Sequence, residues 1–259
     1  MLPKIFKPFK SNINNLIRIG PKKDGGYVID KRVIKKTKKI ISCGLNDDWE
    51  FEREFLKINR KCKIIAYDHT VDKKFWVKRF KKDIISLLLF KKIKLEKILD
   101  VFKYINYLRF FNSVNKHIIR KVVNNKRKYN EISISNVLKN QNNLILKIDI
   151  EGDEYKILEQ INNEFIKINL LIIEFHNIDK NSNKIKNFIK KTNFKIIHIH
   201  GNNFAGKNKN KDPKVVEMTL INSKKFKTSE YRSNFKYPIR GLDYKNLKRR
   251  PDIELKFHE

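Results

Sequence analysis

Short apolar runs, each closing on a polar residue, alternate along this chain with stretches whose apolar positions recur every three or four residues. Ile40-Ile41 leads to Cys43-Gly44, and a helical pattern follows with Phe51, Phe55 and Leu56 on one face and acids in its first turn. "CKIIAYDHT" is a second run, closing on Asp68. "HIIRKVV" (117–123) reads as one strand, and "EISISNVLKN" (131–140) as a short strand or turn entering a helix. "LILKIDI" and then "DEYKILEQI" read as strand and helix, with Glu151-Gly152 as a helix-start device. "INLLIIEFHN" (168–177), a helix near 180–192, "FKIIHIHGNN" (194–203) and "KVVEMTLIN" (214–222) complete the series. Strands alternating with helices predict an α/β fold, a parallel sheet with helices on both faces. Unbroken apolar strands such as "LLII" fit burial on both sides.

Three regions depart from this alternation. Residues 1–38 are a basic lead-in holding the turn signal Asp24-Gly25-Gly26, which either folds over a ligand or is a plain surface turn. Residues 71–113 read as one or two basic, aromatic-rich amphipathic helices: a helical insertion or cap on the sheet, a lid, or a face resting on an anionic membrane. Residues 223–259 read as a polar tail folding over the surface. There is no internal repeat, and 259 residues suit a single domain.

Ligands of open α/β sheets bind beyond the carboxyl ends of the strands. Here those ends carry Gly44, Asn46 and Asp48, then Asp68-His69, then Asp149 and Glu151, then Glu174 and His176, then His198, His200, Asn202 and Asn203. Carboxylates gathered on one edge need cations, hydrogen-bond donors or a ligand to offset their burial. Gly44 lets a ligand approach the backbone, and Asp68 lies at the distance along the chain where an acid accepts from ribose hydroxyls. The first loop holds one glycine and two aspartates, which would repel a pyrophosphate. A nucleoside with a cationic centre and no phosphate, such as S-adenosylmethionine, suits it better.

Composition adds one question. Lys+Arg number 60 against 28 Asp+Glu, a formal net charge of +32. A polyanionic partner is one reading. Compositional bias is the plainer one: lysine far outnumbers arginine, is spread along the whole chain, and is matched by abundant isoleucine and asparagine. Cys43 and Cys62 form no CxxC pair and suit reduced thiols. With no run long enough to cross a bilayer and no apolar leader in "MLPKIFKPFK", the expected location is cytoplasmic, with peripheral membrane contact as a variant.

"LKIDIEGDEYKIL" resembles the K-hydrophobic-D-hydrophobic-EG-x-E segment of the FkbM-type methyltransferases. "RIGPKKDGGYVI", "SCGLNDDWEFEREF", "IIAYDHT", "LLIIEFHNI", "IIHIHGNNF" and "VVEMTLI" are similar to that family in the same order, over roughly residues 18 to 222. The resemblance implies a Rossmann-like class I methyltransferase sheet, mostly parallel, with an antiparallel last strand at 214–222. It implies S-adenosylmethionine-dependent methyl transfer, most often to a hydroxyl of a sugar, glycan or secondary metabolite; a surface polysaccharide is the expected kind of acceptor. It places Gly44, Asn46, Asp48 and Glu52 around the cofactor's amino-acid end, Asp68 at the ribose and Asp149 near the methyl donor. Segment 71–113 fits the family pattern least.

Methyl transfer to oxygen needs an aligned donor and acceptor and a base for the acceptor's proton. His176 is the first choice and His200 the competitor; His198, one alternation away, reads as structural. Asp149, Glu174 and one histidine are alternatively ligands for Mg2+, although no metal site is assigned from the sequence. Asn202 and Asn203 either bond substrate hydroxyls or shape their turn. Two rival readings stay open: an RNA methyltransferase using the positive charge, and a non-catalytic basic binding protein on the same fold.

Overall fold

The structure is a computed structural model and describes residues 1–89 and 102–258. Residues 90–101 of the predicted cap lie outside the described residues. The chain opens with a hairpin, β1 (Leu16–Ile19) and β2 (Tyr27–Asp30). Then come β3 (Lys39–Cys43), α1 (Glu50–Ile58), β4 (Lys63–Tyr67), α2 (Lys73–Leu89) and α3 (Lys103–Phe110). β5 (Lys116–Ile118), β6 (Lys121–Val123), β7 (Glu131–Ser133) and α4 (Ile134–Leu138) are short. β8 (Leu144–Ile148), α5 (Leu158–Asn163), β9 (Ile168–Phe175), α6 (Ile178–Lys191), β10 (Phe194–Gly201) and β11 (Val216–Asn222) complete the fold.

Seven strands form one sheet in the order β10-β11-β9-β8-β3-β4-β5. β9, β8, β3, β4 and β5 pair in parallel, and β11 runs antiparallel to both its neighbours. This is the class I methyltransferase sheet, with its reversed last strand inserted one place in from the edge.

Alternation along the central strands sorts side chains onto two faces. Ile41, Leu146, Ile148, Leu171 and Ile173 pack against α4, α5 and α6 through Val137, Ile161, Ile185 and Phe188. Ile40, Ile64, Ile145, Leu170 and Ile172 pack against α1 and the β1–β2 hairpin through Phe51, Phe55, Val28 and Ile29. Every residue of β8 and β9 is buried, so each of their large apolar side chains contributes roughly 1.5–3 kcal/mol.

Three expectations need correction. The run 117–123 is two strands, because Arg120 N bonds back to Ile118 O and turns the chain; β6 then pairs with β7 in a separate ribbon. The helix expected from Asp153 is a single 3-10 turn at Glu154–Lys156 followed by α5, since Glu151 and Gly152 both adopt left-handed backbone. The tail is no surface extension: Tyr237, Ile239, Ile253 and Leu255 are buried in the first core, and Leu2 N bonds Lys256 O.

The described part of 71–113 caps the sheet beside β4 and β5. Trp76 of α2 meets Trp49 at 6.2 Å and Tyr107 of α3 at 4.6 Å. The Tyr107 hydroxyl bonds His117 Nδ1 at 2.6 Å, and His117 Nε2 reaches Asp68 O at 3.1 Å. Arg79 and Lys103 both hold Asp47, so one of the two aspartates of the first loop is neutralised by the cap. No described helix is long and apolar enough to cross a membrane.

Candidate active site

A cleft of about 900 Å³ opens at the carboxyl ends of β3, β4, β8 and β9. Gly44, Asn46 and Asp48 line it after β3, Asp68, His69 and Thr70 after β4, Asp149 and Glu151 after β8, and Glu174 and His176 at β9. Asp24, Gly25 and Tyr27 of the hairpin close one side, so the turn at Asp24 does fold over the cleft. Seven carboxylates line it (Asp24, Asp48, Asp68, Asp149, Glu151, Asp153 and Glu174), against Lys147, Arg120 and Lys121. A chain with formal charge +32 therefore lines its cleft with acids.

Gly44 has φ +84°, and a Cβ there would lie 1.6 Å from the backbone oxygen of Asp149. Its missing side chain admits the β8 loop rather than a ligand, which corrects the sequence-based reason for the glycine. Asp149 N in turn bonds Cys43 O at 2.8 Å.

Asp68 Oδ2 accepts from Leu45 N at 2.8 Å and Asn46 N at 2.9 Å. Its Oδ1 accepts from the N–H and the hydroxyl of Thr70 at 2.7 and 2.6 Å. Burial opposes its charge, but these donors outweigh it and hold the carboxyl below the usual range. Both oxygens are thus occupied, and Asp68 shapes the first loop at the place where a ribose acid was expected.

Glu52 is fully buried and does not line the cleft; this corrects its placement at the cofactor's amino-acid end. It accepts from the Ser42 hydroxyl at 2.5 Å and stands 3.4 Å from Lys147 Nζ. Lys147 does face the cleft, with its ammonium 5.5 Å from the Tyr27 ring centroid. Burial works against this cation, yet Glu52, Asp149 and Asp48 raise its pKa. Lys147 opens the family-like segment of the sequence but receives no role from it; a lysine inside the apolar run "LILKIDI" is the signal that marks it.

On the opposite wall, Glu154 is fully buried and pins His176 twice, accepting from its N–H at 2.7 Å and pairing with Nδ1 at 3.0 Å. It also accepts from Gly152 N at 2.8 Å. Nε2 of His176 is left facing Glu151 at 3.4 Å, Glu174 at 3.8 Å and Asp149 at 3.9 Å. Burial opposes protonation of His176, but Glu154, Asp149 and Glu151 together raise its pKa. Burial pushes Asp149 up to about 6 against the pull of Lys147 and His176. Burial, Asp149 and Glu217 push Glu174 well up. Glu151 is exposed with φ +55° and stands beside His176, far ahead of α5, so it is no helix-start device.

Of the remaining candidates, Asn202 reaches the cleft, and His198, His200 and Asn203 lie apart from it. His200 is buried away from the cleft, with Glu217 at 3.4 Å on Nδ1 and Asp252 at 3.1 Å on Nε2. Burial opposes its charge, but the two acids lift its pKa to about 10, so it stands as an imidazolium. His198 bonds Asp243 at 3.2 Å. Asn202 donates to Glu174 at 2.9 Å at the cleft wall, whereas Asn203 bonds backbone of the tail at Leu247, Arg250 and Pro251.

Sheet order, a glycine-tight first loop and a cleft over the strand ends define a class I methyltransferase. The methyltransferase FkbM domain matches residues 35–196, and the chain belongs to the FkbM methyltransferase family. No curated protein matches the chain. Among solved structures it is similar to the Methanococcus jannaschii fibrillarin pre-rRNA processing protein, at 10% identity over 73% of this chain and 67% of that one, with a TM-score of 0.37. It is similar to a fibrillarin/Nop5p complex at 9% identity over 72% and 73%, TM-score 0.36. It is also similar to the Pyrococcus abyssi tRNA (uracil-54, C5)-methyltransferase in complex with S-adenosyl-L-homocysteine, at 12% identity and TM-score 0.34, covering 80% of this chain and 44% of that one. Likenesses this faint carry no argument about function.

Proposed function

We propose that this chain methylates a hydroxyl oxygen of a sugar, glycan or related metabolite, with S-adenosylmethionine as donor. The observation that carries the reading is the acidic cleft at the strand ends of a strongly basic chain. Such a lining repels phosphate and favours a ligand that brings positive charge without it. S-adenosylmethionine, when bound, supplies an electrophilic methyl on a sulfonium.

Asp24, Asp48 and Asp149 offer the negative charge that holds an ammonium and a sulfonium, and Lys147 is the buried cation to meet a carboxylate. Asn46 and Thr70 border the same side of the cleft. The acceptor docks at the opposite wall, against Asp149, Glu174, His176 and Asn202. Of the two histidines named as bases only His176 faces the cleft, and the cluster it forms with Asp149 and Glu174 takes up the hydroxyl proton. The same acids weigh against an RNA backbone in the cleft.

A second setting for this chemistry is an anionic membrane surface. α2 and α3 expose Val77, Phe80, Leu88, Ile105 and Leu108, with exposed Lys73, Lys74, Lys78, Lys81 and Lys82 beside them.

Calorimetric titration with S-adenosylhomocysteine, followed by transfer of labelled methyl to a glycan panel, tests the reading. Micromolar binding and a labelled hydroxyl are expected. A folded protein that binds neither cofactor form overturns it.

A further inference from the structure

We propose that Asp149, Glu151 and His176 form a binding site for one divalent cation of the manganese or magnesium kind, completed by Glu174 and by oxygens of the acceptor. The three donors lie within 4.8 Å of one another. Around Nε2 of His176 the carboxylate oxygens stand at 3.4, 3.8 and 3.9 Å. These spacings are too long for good hydrogen bonds. They suit a shared ion instead: with metal–oxygen bonds of about 2.1–2.3 Å, adjacent ligands sit roughly 3 Å apart and opposed ones roughly 4.5 Å.

A second observation points to a missing partner. Asp149 Oδ1 is sealed from solvent and has no hydrogen-bond partner. A buried acceptor oxygen left in that state is destabilising unless something meets it. The imidazole is also prepared as a ligand should be. Glu154 takes Nδ1 at 3.0 Å and the His176 N–H at 2.7 Å, fixing ring and tautomer so that Nε2 is presented to the acids. A carboxylate behind a histidine in this way raises its basicity toward a metal.

The donor set decides the kind of ion. Carboxylates favour hard, octahedral cations, and the single imidazole tilts the choice toward manganese. All four residues line the cleft, so open coordination positions are available to adjacent hydroxyls of a sugar. This inference deepens the methyl-transfer reading and rests on it for the ion's use, though not for its geometry.

The test adds manganese chloride to the full chain and follows the free ion by electron paramagnetic resonance, with S-adenosylhomocysteine titrated in a parallel calorimetric arm. One manganese per chain is expected, with nitrogen modulation from a directly bound imidazole. Glu151→Gln, at an exposed position, and His176→Asn each weaken binding tenfold or more, and the modulation vanishes in His176→Asn. Glu154→Gln weakens it by about ten- to a hundredfold. Absence of manganese binding by protein that still binds S-adenosylhomocysteine overturns the metal site and spares the methyl-transfer reading. Manganese bound equally well by Glu151→Gln and His176→Asn, both folded by circular dichroism, overturns it too. Loss of S-adenosylhomocysteine binding alone strikes the functional reading, not the site.

Discussion

The α-carbon of Gly44 faces the backbone oxygen of Asp149 so closely that a methyl group would lie 1.6 Å from it. The first and third loops of the cleft are therefore seated on one another. Gly44→Ala adds both that overlap and a left-handed strain at φ +84°. The expected cost is on the order of 2–4 kcal/mol, read from urea unfolding. S-adenosylhomocysteine affinity falls with it, because both loops move. Wild-type stability in this variant would show that the loops part easily.

Lys147 and Glu52 are buried together. Lys147→Met leaves Glu52 as an uncompensated buried charge and is expected to cost about 3–5 kcal/mol. Adding Glu52→Gln removes that charge and recovers most of the loss. Cofactor affinity stays low in both proteins, since the ammonium at the cleft is gone. Thermal unfolding beside calorimetry separates the two effects. Full affinity in the double variant would detach Lys147 from the ligand.

His200 makes stability depend on pH in a defined direction. Its ordinary pKa is 6.5, and Glu217 and Asp252 raise it to about 10 in the folded protein against the opposition of burial. The folded state thus holds its proton more tightly than the unfolded chain. This contribution is fully present below pH 6.5 and is lost as pH rises through 10. The window corresponds to a few kcal/mol, on the order of 3–5. Nitrogen-15 spectra of the imidazole are expected to report it charged at pH 8. A neutral His200 at pH 8 contradicts the assignment.

The exposed apolar residues of α2 lie among lysines, and vesicles of anionic lipid are expected to carry the protein upward in a flotation gradient at low salt. High salt weakens the association. Phe80→Ser with Leu88→Ser reduces it at either salt. Protein that stays at the bottom of the gradient at low salt removes the membrane setting and leaves the chemistry untouched.

The sheet and the edge that holds the cleft were legible because each central strand is an apolar run closing on an acid or glycine. Asp149, Glu174 and His176 announce themselves in this way, and the structure brings them together. Glu154 did not, because its reach to His176 depends on the chain reversing through Glu151 and Gly152, where the pattern continued a helix. His200 misled for a related reason. Its partners come from Glu217, on the strand beside it, and from Asp252, far along the tail, and no local periodicity links the three. Gly44 was noticed for a ligand's sake, but what it accommodates is a neighbouring loop, a steric fact that only tertiary structure supplies.

The strand that reverses direction in the sheet is also the last one made. β9 and β10 are synthesised well before the segment that must slide between them, so a growing chain carries two unpaired, buried-type edges until Asn222 has emerged. A piece cut to residues 35–196, the span the family model matches, would keep β9 and lose β11 entirely. Its open apolar edge invites pairing between copies. Folding of this enzyme is thus completed from the inside of the sheet, and shortened versions are expected to aggregate where the whole chain does not.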